Sequence, residues 1–285
     1  MPKRLPKRLK LSCVAALLIA GASSANALGP LPFEQFLYKG RAVPFYGNPA
    51  TEFQTKLEGV LRQSRMAERM AQLTEASLHL RRDLSVGFES CGKPNAFYDP
   101  QRSRVVFCFE MIELVAKLAQ ADGDFASRLD RPHFAKLVDG VVWGIFLHEL
   151  GHAVIDIDRV PITGREEDVA DQFALYYSVK FLEPRDVPVV LPTIWFFRAL
   201  GKNRDIAASS PEAVKRLLAD EHSLDDQRTY NLACWAFGAN QTRGLSAAKF
   251  VGLPEERARR CAGEYARLDD GIRSRFRKYL KIKPQ

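Results

Sequence analysis

Histidine and cysteine are both scarce, at five residues each among 285. No pair of cysteines has the CxxC spacing, which argues against a cysteine-built structural zinc site. No basic block is interleaved with aromatics, so nucleic acid is not an expected partner. Internal repeats, long low-complexity linkers and a second apolar stretch long enough to span a bilayer are missing too. The formal charge of +8 is partly local, because Lys3, Arg4, Lys7, Arg8 and Lys10 crowd ahead of the apolar stretch Leu11 to Ala20. Small residues then lead to Ala25-Asn26-Ala27, the pattern of a cleavable export signal over residues 1–27. Cys13 is badly placed for lipid anchoring, since Lys10 stands where an apolar residue is wanted. Without the leader, 37 of the 42 basic residues face all 34 acidic ones, close to balance. The expected product is a periplasmic or secreted protein of residues 28–285, with no retained membrane span.

What is present is patterned. Cys91, Cys108, Cys234 and Cys261 survive processing, and an even number in an exported chain argues for two disulfides, with sequence-local pairing 91–108 and 234–261. Apolar spacing predicts an amphipathic helix from Glu52 to about Arg82, with His79 a surface or packing residue at its end. Short strands are expected at Leu84 to Glu89, Ala96 to Tyr98 and Arg104 to Phe109, the last two flanking the turn Asp99 to Ser103. Helices follow at Glu110 to Ala121, closed by Asp122-Gly123-Asp124, and from Pro132 to about Asp156, with His133 at the start of the latter. Another runs from Arg165 to Phe181. After the Trp195-Phe196-Phe197 segment come helices at Pro211 to Ala219, Asp225 to Gly238, Pro254 to Ala262 and Glu264 to Leu280. The fold class is α+β and mostly helical: residues 28–160 supply a small sheet with an edge hairpin and a central helix, and 161–285 form a helical subdomain.

The central helix carries His148-Glu149-Leu150-Gly151-His152. Residues four apart share a helix face, so His148 and His152 can grip one metal ion while Glu149 faces a water on it. The plain alternative is a buried helix whose two histidines are satisfied by hydrogen bonds. Catalytic zinc takes three protein ligands and keeps a fourth position open, so a third ligand is required. Glu167, fifteen residues after His152, supplies it on the next helix, with the adjacent Glu166 as its rival. Asp171 shares the face of Glu167 and can orient a ligand histidine. Other divalent ions suit the same donors.

His148-Glu149-x-x-His152 followed by Glu167-x-x-Ala170-Asp171 resembles the gluzincin metallopeptidases. Asn95-Ala96-Phe97-Tyr98 is similar to the Asn-Ala-Phe segment of thermolysin- and neprilysin-type enzymes, and Asp220-x-His222 with Arg228 resembles a neprilysin segment, although Leu224 replaces the proline that normally follows the His-Ser pair. Beyond these motifs the chain is similar to a bacterial group of exported metallopeptidases of unassigned substrate. The resemblance implies a zincin-like core holding one Zn2+ and hydrolysing peptide bonds, with Glu149 as general base. It further implies that Asp220 and His222, with a tyrosine such as Tyr230, stand at the oxyanion, that Asn95 and Ala96 form a strand edge for the peptide backbone, and that Arg228 binds a substrate carbonyl. The alternative is a zinc-held envelope chaperone or adaptor without useful hydrolysis; an amide hydrolase of cell-wall peptides would use the same water chemistry.

Overall fold

The computed structural model describes residues 39–122, 131–185, 187–202 and 210–281; the export segment and the turn residues Gly123 and Asp124 lie outside them. Four strands, β1 (Ala42–Tyr46), β2 (Leu84–Glu89), β3 (Ala96–Asp99) and β4 (Arg104–Cys108), form one sheet in the order β1-β2-β4-β3. The first three neighbours run parallel, and β3 pairs antiparallel with β4 as the outer strand. Leu84, Val86 and Phe88 of β2 and Val105, Val106 and Phe107 of β4 are buried, as central strands require. Between β3 and β4 the expected turn is present. Asp99 Oδ1 accepts the N–H groups of Gln101 at 2.9 Å and Arg102 at 3.2 Å. Strand β1 is not anticipated by the sequence, because Pro44 interrupts its pattern; an edge position tolerates the missing donor.

The long helix expected from Glu52 to Arg82 is two helices, α1 (Glu52–Gln63) and α2 (Met66–Ser77). The chain turns at Arg65, whose φ is 53°, and Ser64 Oγ donates to the Leu61 carbonyl at 3.0 Å. This break lets α2 bury Met66, Ala67 and Met70 and pack on β1 and β2. Helix α3 (Phe109–Ala121) follows β4 directly.

The central helix α4 (Arg131–Asp158) packs on β3, β4 and α3. By length and composition the stretch Pro132–Asp158 would suffice to cross a membrane, contrary to expectation, yet 83% of its apolar window is buried inside the protein. From Gly140 to Gly151 it is a core helix, apolar on most faces because neighbours cover it there, while its first turn is exposed. Helix α5 (Glu166–Tyr177) runs into a π-helical turn (Ser178–Leu182), and α6 (Val190–Lys202), α7 (Pro211–Leu218), α8 (Asp225–Ala239), α9 (Gln241–Val251) and α10 (Glu255–Phe276) follow among the described residues.

Three of these differ from expectation. Trp195, Phe196 and Phe197 are buried within α6, where Pro192 occupies the first turn and withholds a donor that the helix does not need. Helix α9 lacks a strong apolar stripe and carries Gly244, and α10 is continuous where two helices were expected. Helix α8 packs on α5, α6, α9 and α10, and the Cys234–Cys261 disulfide ties it to α10. Cys91–Cys108 ties the β2–β3 loop to β4, so both expected pairings are present.

Candidate metal centre

One turn of α4 places His148 and His152 on the same face, with their Nε2 atoms 3.2 Å apart. Two imidazole nitrogens at that distance repel unless a proton or a cation stands between them. Helix α5 brings the acid to them, and Gly151 makes the approach possible. A Cβ there would lie 3.1 Å from Ala170 Cα, so the helices meet closely at that point. Glu167 then faces both histidines, with Oε2 3.1 Å from His148 Nε2 and Oε1 3.4 Å from His152 Nε2.

A regular tetrahedron of zinc–nitrogen bonds has ligand-to-ligand edges of about 3.3 Å, and the spacings among His148, His152 and Glu167 match that scale. The donor set, two imidazoles and a carboxylate, fits a divalent metal ion. The competing acid Glu166 takes a different place, with Oε1 2.8 Å from His152 Nδ1. Behind His148, Asp171 Oδ1 lies 2.9 Å from Nδ1. Both imidazoles are thus oriented by a carboxylate on the nitrogen away from the metal position, the arrangement that fixes ligand tautomer and ring angle.

Asp171 is itself clamped. Arg228 donates Nε to Oδ2 at 2.8 Å and Nη2 to Oδ1 at 2.7 Å, and its guanidinium lies 3.8 Å from the Phe197 ring centroid. Burial raises the Asp171 carboxyl, but Arg228 and His148 outweigh it and hold the group well below the usual carboxylate range. Glu167 is depressed further: burial opposes its charge, and hydrogen bonds from three imidazoles prevail. His148 shows the converse. Its burial disfavours protonation, yet Asp171 and Glu167 push its pKa up to about 9.

The third imidazole is His222, on the segment between α7 and α8. Its Nε2 lies 2.9 Å from Glu167 Oε2, and its Nδ1 and backbone N lie 3.1 and 2.9 Å from Asp220 Oδ1. Arg165 and Asp168, which no sequence signal identified, tie that segment to α5. Arg165 Nη2 donates to the carbonyls of Asp220 at 2.5 Å and Glu221 at 2.8 Å, and Ser223 Oγ donates to Asp168 Oδ1 at 2.8 Å.

Two cavities, of about 390 and 730 Å³, meet at this centre and share Asn95, Ala96, Glu149 and His222 in their linings. The smaller is walled by Met111, Leu114, Ile145, Phe196, Phe197 and Leu200, and Arg228 reaches it. The larger is lined by Tyr98, Asp156, Arg165, Glu166 and Glu221 among others. Ala96 opens the outer strand β3, and Asn95 accepts the Cys108 N–H at 3.0 Å. Glu110 steadies the loop before it, accepting from Ser90 Oγ at 2.7 Å, Cys91 N at 3.0 Å and Gly92 N at 2.9 Å. Tyr230 does not join this centre. It lines a separate depression with Gln227, Asn231 and Arg257, because it projects from the far side of α8. A second acid-and-sulfur group, Cys91, Cys108 and Glu110, is no metal site, since its sulfurs are bonded to each other.

Among the described residues, His148, Glu167 and His222 bring donor atoms within 4.8 Å of one another and could hold a metal ion. No curated protein and no solved structure matches the chain. A family model does, over residues 46–272, a span containing every residue of the centre. The chain belongs to that family, DUF4344, whose description is "Putative metallopeptidase".

Proposed function

We propose that this protein is an exported zinc-dependent peptidase of gluzincin type. The carrying observation is the convergence of His148 Nε2, His152 Nε2 and the Glu167 carboxylate beside Glu149, at the junction of two cavities bordered by an outer strand. His148, His152 and Glu167 would hold the ion, with Asp171 and Glu166 orienting the two imidazoles. When bound, the ion supplies a Lewis acid that polarises a carbonyl and lowers the pKa of a coordinated water. Glu149 accepts the proton of the attacking water on its carboxylate and passes it to the leaving amine. His222, backed by Asp220, faces the oxyanion, where loss of one donor costs about 10²–10³ in turnover.

Asn95 and the exposed edge of β3 take an extended peptide as an added strand. Arg228, with two of its nitrogens committed to Asp171, both steadies that acid and presents its remaining edge to a substrate carbonyl. The apolar cavity receives a bulky hydrophobic side chain. Export is supported by the leader pattern and by two disulfides, which belong to oxidising compartments.

The test is zinc content and cleavage of a quenched peptide library by wild-type protein, before and after chelation, beside Glu149→Gln. The expected result is about one zinc per chain in both proteins, chelator-sensitive cleavage by the wild type and none by the variant. Substantial activity in Glu149→Gln would remove the role assigned to that carboxylate. Zinc without cleavage in the wild type would favour the zinc-held chaperone or adaptor.

A further inference from the structure

Helix and strand periodicity bring two side chains together one turn away from the metal centre. On α4 the residue one turn beyond His152 is Asp156, which shares its face. On β3, Ala96 and Tyr98 project to the same side of the strand. Tyr98 Oη donates to Asp156 Oδ2 at 2.7 Å. Arg82, from the segment between α2 and β2, donates Nη2 to Tyr98 Oη at 3.1 Å and to the same Asp156 oxygen. Burial and the Asp156 carboxylate push the Tyr98 hydroxyl up to about 12, so it remains a donor. Tyr98 and Asp156 line the larger cavity with Glu149 and His152, whereas Arg82 stands behind them, outside the lining of either cavity at the centre.

The register of β3 shows what these three side chains hold. The Asn95 carbonyl accepts the Cys108 N–H, and Ala96 and Tyr98 lie opposite Phe107 and Val105. Bonded and non-bonded positions alternate along an antiparallel pair. Asn95, Phe97 and Asp99 therefore turn their backbone groups to β4, and Ala96 and Tyr98 turn theirs to the outer edge. Tyr98 offers its backbone to an added strand and its side chain to the metal-bearing helix. Pairing with β4 fixes the register of β3, but the distance of its edge from α4 is set by the side chains between them. The Arg82 and Asp156 side chains are 48 and 42% exposed, so solvent screens their charges and the cluster adds little to global stability. Its consequence is local order.

We propose that Arg82, Tyr98 and Asp156 are positioning residues: together they fix the edge of β3 at the distance from the histidine pair at which a strand-added peptide presents its scissile carbonyl beside Glu149. Misplacement by about 1 Å at a reacting centre costs about 10²-fold in rate. This inference rests on the peptidase reading and names the side chains that hold its substrate edge in place.

The test uses the purified full chain loaded with Zn2+. The probes are the best-cleaved quenched peptide from the library and the same peptide shortened from each end. Tyr98→Phe, Arg82→Ala, Asp156→Ala and the double variant Tyr98→Phe/Asp156→Ala are compared with wild type, each checked for zinc content and Tm. Zinc content and Tm should stay close to wild type. For the full peptide kcat/KM should fall about 10–100-fold, and peptides too short to lie along β3 should lose much less. The double variant should fall no further than the deeper single one, because side chains acting as a unit are not additive. Asp156→Asn, which keeps an acceptor for the Tyr98 hydroxyl, should recover part of the loss. Equal losses for long and short probes, or a loss that tracks a falling Tm, would assign a purely structural role and overturn the inference. A loss in Tyr98→Phe alone would overturn it too, because the hydroxyl would then touch the peptide directly. Unchanged kinetics in every variant overturn it while leaving the peptidase reading intact, and absence of cleavage by the wild type overturns both.

Discussion

At the scale of single residues, the centre is a balance between burial and charge. Glu167 and Asp171 keep their charge in a partly dry site because imidazoles and Arg228 surround them, and His148 is in turn held protonatable up to about 9. In metal-free protein this has a definite sign. The folded-state pKa of His148 exceeds its ordinary 6.5, so its contribution to stability is complete below about 6.5 and is lost as pH rises through about 9. Thermal melts of chelator-stripped protein should show a falling Tm across that window, and zinc loading should flatten the fall because the metal replaces the proton. The two adjacent glutamates should separate cleanly. Glu167→Ala is expected to abolish stoichiometric zinc, whereas Glu166→Ala should weaken zinc affinity about 10–100-fold, since it only orients His152. Chelator competition on the two variants measures both, and equal losses would refute the assignment of ligand and orienting partner.

At the scale of elements, α4 is the organiser, and its small residues decide how near its partners come. Gly144 faces α6 at Thr193, where an added Cβ would lie 1.9 Å from Oγ1. Gly144→Ala should therefore destabilise the protein by about 1–3 kcal/mol through overpacking. The Tm of metal-loaded protein reports this, and an unchanged Tm would mean that α6 is not pressed against the helix. The pattern in the sequence revealed α4, α5 and the β3–β4 hairpin because each is long, periodic or bounded by strong turn residues. It missed the break at Arg65, since a polar residue in a left-handed conformation leaves no signature where glycine would. It missed β1 and the start of α6 because Pro44 and Pro192 read as interruptions, and their harmlessness depends on an edge and a first turn that only the assembled fold defines.

At the scale of the whole molecule, distant segments are held to the centre by cross-links. The Cys234–Cys261 bridge closes a separation of 27 residues between α8, which carries Arg228, and α10. Replacing both cysteines by alanine should lower stability by about 3 kcal/mol, read by denaturant melts. The Cys91–Cys108 bridge sits in the loop leading to Asn95, so its double alanine variant should raise KM for peptides more than it lowers kcat. A loss confined to kcat would place the effect at the metal instead. The segment just after α10 also returns to the core. The Tyr279 carbonyl accepts from His79 N at 2.7 Å, and its hydroxyl donates to the Asp158 carbonyl at the foot of α4 at 2.9 Å.

The sequence by itself determined that His148 and His152 share a face, because helical periodicity places residues four apart on one face whatever surrounds them. It favoured the local cysteine pairing among three connectivities, and the fold, by bringing each pair together, decided it. That Glu167 faces both Nε2 atoms while Glu166 faces His152 Nδ1 is decided by the tertiary structure, since one step along a helix turns a side chain by about 100° and its direction depends on how α5 crosses α4. That crossing is set by the contact of Gly151 with Ala170. Tertiary structure likewise decided that His222 meets the same carboxylate, because Arg165 and Asp168 anchor a segment that local pattern leaves free to lie elsewhere.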